Sequence, residues 1–435
     1  MSNTSRMTPP DTQAVLPADA LVGTVELPAD KSIAHRSALF SAISDGSSRI
    51  VGFPTAADPQ STLSCVRALG IRVEQDDDAL VVHGEGLHGL KAPSGPLDCG
   101  NSGTTMRLLS GILAGQSFDS TLVGDASLSV RPMGRIMNPL REMGASIDGE
   151  DGHAPLEIKA ASSPLTPISY RLPVASAQVK SCVLLAGLYA DGETSVIETK
   201  PSRDHTERML GLSRFEMGDE SILSVTGGRA PYARMWSIPA DFSAAAFMLV
   251  AASILDGSLI RMPRVGLNPS RTGLLDVLRA MGANILIENE RDVSGEPIGD
   301  LIVKSAPLSG IRVKGPIIPN LIDEIPILAV AGVFAEGVTE IRGAAELRHK
   351  ESDRIAAVVS GLRAMGAQVE EFEDGMAITG GAGLTGAEIA THHDHRIAMA
   401  FAVAGLGAKG STLIHDASIA NVSFPGFYDT IEALR

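Results

Sequence analysis

Cysteine is scarce in this 435-residue sequence: Cys65, Cys99 and Cys182 are an odd set of three with no Cys-x-x-Cys spacing. That excludes a disulfide framework and points to a reducing compartment. Aromatic residues make up only 4 % of the chain, so its core must be aliphatic. No apolar stretch reaches the ~18 residues of a membrane span, and no apolar run follows a basic start as in a secretory signal. Residues 1–18 are polar and carry Pro9, Pro10 and Pro17, which predicts a frayed tail on a cytoplasmic protein. Positive charge is in deficit, with 36 Lys and Arg against 51 Asp and Glu and a net charge of −15. Nucleic acid and anionic membranes repel such a chain, so neither is expected as a partner. With 44 % hydrophobic and 20 % charged residues, the chain has a soluble globular composition. Its length predicts about two to four domains, or two large ones.

What the sequence does contain is a repeat. Arg67-Ala-Leu-Gly70 recurs as Arg141-Glu-Met-Gly144, Arg208-Met-Leu-Gly211, Arg279-Ala-Met-Gly282 and Arg363-Ala-Met-Gly366. Glu432-Ala-Leu-Arg435 fits a sixth copy cut before its glycine. Each copy reads as a helix end: a Leu or Met packs inward, Gly supplies the left-handed cap, and a strand follows. A second helix per repeat starts near Lys31, Asn101, Ala175, Asp241, Asp323 and Asp394. Runs such as Ala398-Met-Ala-Phe-Ala-Val-Ala are apolar nearly all round, which predicts burial. After each come a Gly and a short β-branched strand. The unit, about 70 residues by these spacings, exceeds the 20–50 residues usual for a solenoid.

Ordinary N-capping explains Ser, Asp and Asn at those helix starts. It does not explain Lys31, Arg36 and Arg396, because cations are disfavoured at a helix N-terminus. A cation there suggests a bound anion shared with the helix amides. Four stretches concentrate this chemistry. In Asp30-Lys-Ser-Ile-Ala-His-Arg36, a point charge, a hydroxyl and a guanidinium fork share one strand-to-helix turn. In Cys99-Gly-Asn-Ser-Gly-Thr-Thr-Met-Arg107, glycines allow close backbone approach, but the P-loop lysine is missing. Downstream, Arg131 is held extended by Pro132. The third stretch, Glu346-Leu-Arg-His-Lys-Glu-Ser-Asp-Arg-Ile355, would suit a helical charge ladder. The repeat phase instead places it in a loop, where Asp323 and Glu324 can join it. The fourth, His392-His393-Asp394-His395-Arg396, invites a metal, but three histidines in four residues cannot all face one ion on a helix. Cations at helix starts around two carboxylates suit two anionic small molecules and acid–base chemistry.

These motifs, in this order and phase, resemble the signature set of EPSP synthases from about residue 20 to the C-terminus. The resemblance implies an α/β protein of two similar domains, each of three βαβαββ repeats, the enolpyruvyl transferase fold or inside-out α/β barrel. It implies boundaries of 28–239 for one domain and 1–27 plus 240–435 for the other. It further implies transfer of the enolpyruvyl group of phosphoenolpyruvate to the 5-hydroxyl of shikimate 3-phosphate, with no cofactor or metal, by a monomer. By the same resemblance Asp323 is the main general base and also a substrate-binding residue, and Glu351 and Lys31 share proton transfers. Lys31, Ser32, Arg36, Ser176, Ala177, Gln178, Ser202, Arg203 and Lys350 hold shikimate 3-phosphate. Gln178 also reaches phosphoenolpyruvate, whose site Gly103, Arg131, Arg354 and Arg396 line, the last two taking its carboxylate.

Two departures stand out. Many members carry a lysine two residues before the last Phe-Pro, where this chain has Val422. The Ser-x-Gln and Arg203-Asp-His-Thr segments resemble the second subgroup, some members of which tolerate glyphosate; Gly103 in place of the Ala frequent in those members implies sensitivity. Two rivals share the scaffold. UDP-N-acetylglucosamine enolpyruvyl transferases resemble this chain in fold but carry a reactive loop cysteine and a Lys-Asn start, where this chain has Lys31-Ser32. A non-catalytic anion-binding homologue would be expected to lose Asp323 or Glu351, and both are present.

Overall fold

The computed structural model describes residues 11–435. Its repeating unit is clearest between residues 97 and 158. Strand Leu97–Asp98 leads into helix Gly103–Leu113, strand Ser120–Val123, helix Gly134–Glu142 and the hairpin Ile147–Gly149 with Leu156–Ile158. A short extra helix, Ala126–Ser129, precedes the second long one. The first two strands pair in parallel and the hairpin adds antiparallel to the second. Residues 169–226 and 312–379 follow the same order. The helix-end motif terminates the second helix of the unit: Gly70, Gly144, Gly211, Gly282 and Gly366 all have positive φ. The motif's arginine has its own task, since Arg141, Arg279 and Arg363 donate to the carbonyls of Ile147, Ile285 and Val369 in the strand that follows.

Three units are completed by strands from distant sequence. Met235–Ser237 pairs in parallel with Asp45–Val51. Val22–Thr24 pairs in parallel with Leu259–Gly266. Thr12–Val15 pairs antiparallel to Thr412–His415. The last pairing corrects the expectation of a frayed tail over 1–18. Thr12–Val15 forms an outer strand of a three-stranded sheet, with Val15 buried. Residues 1–10 of that expectation lie outside the described residues.

The buried side chains form two hydrophobic clusters, one drawn from Ile33 to Ile238 and the other from Val15 to Val25 together with Ala240 to Leu434. Helices Lys31–Ala42, Gly103–Leu113 and Ala177–Gly187 meet inside the first, and Phe242–Ile254, Ile325–Phe334 and His395–Leu406 inside the second. Small residues let them approach: a Cβ on Gly111 would lie 2.3 Å from the carbonyl oxygen of Cys182. The sheets surround these helices as separate open sheets rather than one hydrogen-bonded barrel. The chain passes between the clusters at 28–30 and 239–241, where the two passes pair: Asp30 N–H donates to Pro239 and Asp241 N–H to Pro28. The N-termini of the six central helices converge on one cleft between the two halves.

Candidate active site

The cleft is lined by Lys31, Ser32, Arg36, Gly103, Arg131, Ser176, Ala177, Gln178, Ser202, Arg203, Asp323, Lys350, Glu351 and Arg396. They come from sequence positions hundreds of residues apart. Lys31, Ser32, Arg36, Gly103, Ser176, Ala177, Gln178, Asp323 and Arg396 lie in or just ahead of the first turns of central helices, and Arg131, Ser202, Arg203, Lys350 and Glu351 lie in loops ahead of the second helix of their unit. The helix dipoles and free amides point into the same space, which makes it favourable for anions. Asp30, Ser102, Ser176, Asp353 and Asp394 cap their helices through their side chains. The charged neighbours are thereby free to face the cleft.

Asp323 sits at the centre, in a 3₁₀ turn (Ile322–Glu324) ahead of helix Ile325–Phe334. One carboxylate oxygen accepts from Arg203 at 2.5 Å, and the other lies 3.1 Å from Arg354 and 3.7 Å from Lys350. Arg396 is 3.9 Å away and also donates to the Asp323 carbonyl at 3.2 Å. Burial pushes the Asp323 carboxyl up, but the charges of Arg203, Lys350, Arg396 and Arg354 outweigh it and hold it well below the usual carboxylate range. Burial likewise opposes ionisation of Glu351, and Arg354 and Arg131 overcome it. Arg131 lies 3.7 Å from Glu351 and donates to Asn101 at 2.8 Å. The pairs Arg203–Asp323 and Arg131–Glu351 both join one half to the other across the cleft.

Arg354 does not line the cleft. It is 1 % exposed, and its guanidinium binds Asp394 at 2.8 Å, Glu351 at 2.7 Å and Asp323 at 3.1 Å. It therefore aims the two carboxylates from beneath. The 3₁₀ turn Ala345–His349 and the helix Arg354–Ala364 carry the charge-rich third stretch, so Lys350 and Glu351 do sit at a loop-to-helix junction. Arg348 turns away, bonding Asp353 at 2.7 Å and Glu371 at 2.9 Å. The three histidines of the fourth stretch diverge: His392 and His393 are exposed with left-handed φ, and His395 is buried against the cleft. Ser202 donates its hydroxyl inward to Glu198.

Several residues of the cleft were not singled out by the sequence. Asp58 holds the Lys31 ammonium at 2.9 Å. Arg107 donates to Gln178, whose amide donates to Thr104 at 2.9 Å. Burial, then the charges of Arg131 and Arg135, brings the Arg107 guanidinium down to about 10. Glu351 and Glu346 offset part of the repulsion among these three arginines, and a bound anion would relieve the rest. Nothing in the spacing pointed to Asp58. Arg107 was visible as the last residue of the glycine-rich stretch but carried no signal of its own.

His35 and His395 are buried, and burial, the dominant cause, lowers both imidazoles to about 3. An unfolded chain protonates them near the ordinary value of about 6.5. The unfolded state therefore binds more protons between these values, and stability falls as pH drops from about 6.5 towards 3. Asp323 and Glu351, depressed in the folded state, add a loss of the same sign below the usual carboxylate range. The melting temperature is expected to decline from about pH 6.5 to about 5 as the imidazoles take effect, with Asp30, whose carboxyl burial raises, working in the opposite sense. A level melting temperature over that interval contradicts buried neutral imidazoles.

A cleft between two similarly built halves, with helix N-termini and cations gathered around two carboxylates, defines an enzyme that collects small anions. Its fold is that of the enolpyruvyl transferases: the chain superposes on the enolpyruvyl transferase NikO from Streptomyces tendae with a TM-score of 0.77 at 17 % identity, over 98 % of each chain. EPSP synthase from Acinetobacter baumannii superposes with a TM-score of 0.87 at 45 % identity, covering 97 % of this chain and 98 % of that one. The 3-phosphoshikimate 1-carboxyvinyltransferase of Salinibacter ruber is 60 % identical over 422 residues, 96 % of this chain and 98 % of that protein. That of Alkalilimnicola ehrlichii is 51 % identical over 95 % of this chain and 94 % of its own length. Residues 15–431 match the family EPSP synthase (3-phosphoshikimate 1-carboxyvinyltransferase), and the chain belongs to that family.

Proposed function

We propose that this chain transfers the enolpyruvyl group of phosphoenolpyruvate to the 5-hydroxyl of shikimate 3-phosphate and releases phosphate. The observation that carries the reading is Asp323, a buried carboxylate ringed by four cations at the meeting point of the two halves. Each substrate brings a phosphate and a carboxylate, which matches a surplus of cations in a chain whose net charge is −15.

The two separate cores support a division into 28–239 and 1–27 plus 240–435, with substrates bound between them. On one side Lys31, Ser32, Arg36, Ser176, Ala177, Gln178, Ser202, Arg203 and Lys350 hold shikimate 3-phosphate. On the other, Gly103, Arg131 and Arg396 hold phosphoenolpyruvate, with Arg396 taking the carboxylate. Arg354, buried beneath, orients Asp323 and Glu351. Val422 occupies the position of the lysine found in many members, so Lys31, Arg107 and Arg131 are the cations left for the phosphate of phosphoenolpyruvate.

The acceptor hydroxyl adds to C2 of phosphoenolpyruvate and loses its proton, while the methylene carbon gains one. The tetrahedral intermediate then loses phosphate and a methyl proton, restoring the double bond. Asp323 accepts the hydroxyl proton; Glu351 and Lys31 share the transfers at the methyl carbon. Ringed by Arg203, Lys350, Arg396 and Arg354, Asp323 is held ionised and is a weak base. Substrate anions that compete for these cations raise its basicity at the moment it is needed. Water exclusion on closure strengthens every charge interaction inside.

The reading is tested by proton NMR of purified protein with both substrates. New vinyl signals of a carboxyvinyl ether on shikimate 3-phosphate are expected. Intact substrates after prolonged incubation would overturn the assignment. The buried state of all three cysteines counts against the UDP-N-acetylglucosamine rival, since a hydrogen bond with the neighbouring Cys65, and then burial, push the Cys99 thiol up and keep it protonated.

Gly103 sets the space beside the arginines. A Cβ there would lie 3.3 Å from an Arg107 guanidinium nitrogen and 3.6 Å from one of Arg131. Both are side-chain ends that yield at modest cost. Gly103→Ala is expected to raise the KM for phosphoenolpyruvate by about ten-fold or less, with kcat changed little. The native chain is expected to be sensitive to glyphosate and the variant markedly less so. Full native activity at millimolar glyphosate contradicts this use of the space.

A further inference from the structure

We infer that the turn Asp204-His205-Thr206 is a clasp through which the second half of the molecule positions Arg203 and Arg36, the arginines on the shikimate 3-phosphate side; the inference rests on the reading of the cleft given above. None of these three side chains has been given a chemical task so far, yet all are engaged. Asp204 accepts from Asn268 at 2.7 Å and from Ser270 at 3.0 Å. His205 meets Glu296 through Nδ1 at 2.7 Å, with both side chains almost wholly buried. Asn268 closes the ring by donating to the second oxygen of Glu296 at 2.8 Å. Asp204 and His205 belong to the first half; Asn268, Ser270 and Glu296 belong to the second.

The turn hands this restraint to two functional side chains. Arg203 precedes Asp204 directly and reaches Asp323 across the cleft at 2.5 Å. Thr206 accepts from Arg36 Nε at 2.7 Å and exchanges a hydrogen bond with Ser181, which accepts from Arg36 Nη2 at 3.1 Å. Moving the turn therefore moves both arginines together. On the phosphoenolpyruvate side, Gly103 and Arg131 have no bond to it, and Arg396 is linked to it only indirectly, through Asp323 and through Glu324, Ser243 and Arg271.

A buried polar ring of this kind contributes little net stability compared with apolar packing, so its use lies in fixing geometry. Arg271 supports the same place from behind. It binds Asp30 and Asp241, both at 3.2 Å, on the two passes of the chain between the halves, and its Nη1 lies 3.5 Å from His205 Nε2. With a donor facing Nε2, His205 is oriented to donate from Nδ1 to Glu296. The clasp and the crossing strands thus form one rigid seam behind the cleft, and Glu296, Asn268 and His205 act as positioning residues.

The test compares both KM values in Glu296→Ala, Glu296→Gln and Asn268→Ala, together with calorimetric binding of shikimate 3-phosphate alone. Glu296→Ala is expected to raise the KM and Kd for shikimate 3-phosphate by about ten-fold or more, because small misplacements of binding groups are costly. The KM for phosphoenolpyruvate is expected to move less than about two-fold, since its ligands lie outside the clasp. Glu296→Gln keeps an oxygen acceptor for His205 and is expected to recover most of the loss. If Glu296→Ala does not fold, Asn268→Ala carries the same comparison. Equal rises in both KM values, or a loss confined to kcat, would overturn the clasp. Wild-type protein that neither binds nor turns over shikimate 3-phosphate would overturn the reading of the cleft instead.

Discussion

Replacing Asp323 by asparagine is expected to lower kcat by about 10²–10⁴-fold, the usual contribution of a positioned general base. The substitution keeps the size and one oxygen of the side chain but removes the proton acceptor. It also frees Arg203, Lys350 and Arg396 from a carboxylate that now occupies them. Substrate anions then compete with one carboxylate fewer, so both KM values are expected to stay level or fall. That split, a collapse of kcat with undiminished binding, is the mark of an interaction needed for proton transfer rather than for holding the substrates. A rise in KM with kcat preserved would show that Asp323 is a ligand and that the base lies elsewhere, with Glu351 the first alternative.

Arg354→Ala is expected to cost about 3–5 kcal/mol of stability, as for a buried ion pair broken from one side. The guanidinium is 1 % exposed and neutralises Asp394, Glu351 and Asp323 at once. Without it three carboxylates share one buried site, and Asp394 loses the partner that fixes the start of helix His395–Leu406. Thermal or denaturant unfolding measures the loss. Arg354→Lys is expected to recover only part of it, because an ammonium cannot reproduce the fork that spans three acceptors. An Arg354→Ala protein with an unchanged melting temperature but a raised KM for phosphoenolpyruvate would mean that Arg354 turns into the cleft to bind substrate.

Much of the architecture was legible because each repeat must solve the same local problem. A helix that ends before a strand needs a left-handed residue, and glycine supplies it at Gly70, Gly144, Gly211, Gly282 and Gly366. A helix buried on all sides must be small and apolar, as in Phe242–Ile254. The exchanged strands were not legible. Val22–Thr24 and Met235–Ser237 are three residues each, too short for a periodic pattern. Their partners lie far along the chain, at Leu259–Gly266 and Asp45–Val51. The order of Thr12–Val15 depends on pairing with Thr412–His415, some four hundred residues later, which no local feature announces.

The cations of the site stood out because Lys31, Arg36 and Arg396 contradict the helix dipole unless an anion is bound. The supporting groups did not. Asp58 is an ordinary acidic residue in a first helical turn, and its ammonium partner is a product of tertiary packing. Arg354 sits in the same charged run as Lys350 and Glu351, and only burial separates its task from theirs. The clasp residues Asn268, Ser270 and Glu296 lie in loops and a strand of the other half, with no spacing that ties them to His205.

The most direct test of the central claim is steady-state phosphate release by the purified protein with shikimate 3-phosphate and phosphoenolpyruvate, omitting each in turn, with Asp323→Asn alongside. Release that requires both substrates and collapses in the variant is the predicted result. No release with shikimate 3-phosphate, or turnover with UDP-N-acetylglucosamine in its place, would contradict it.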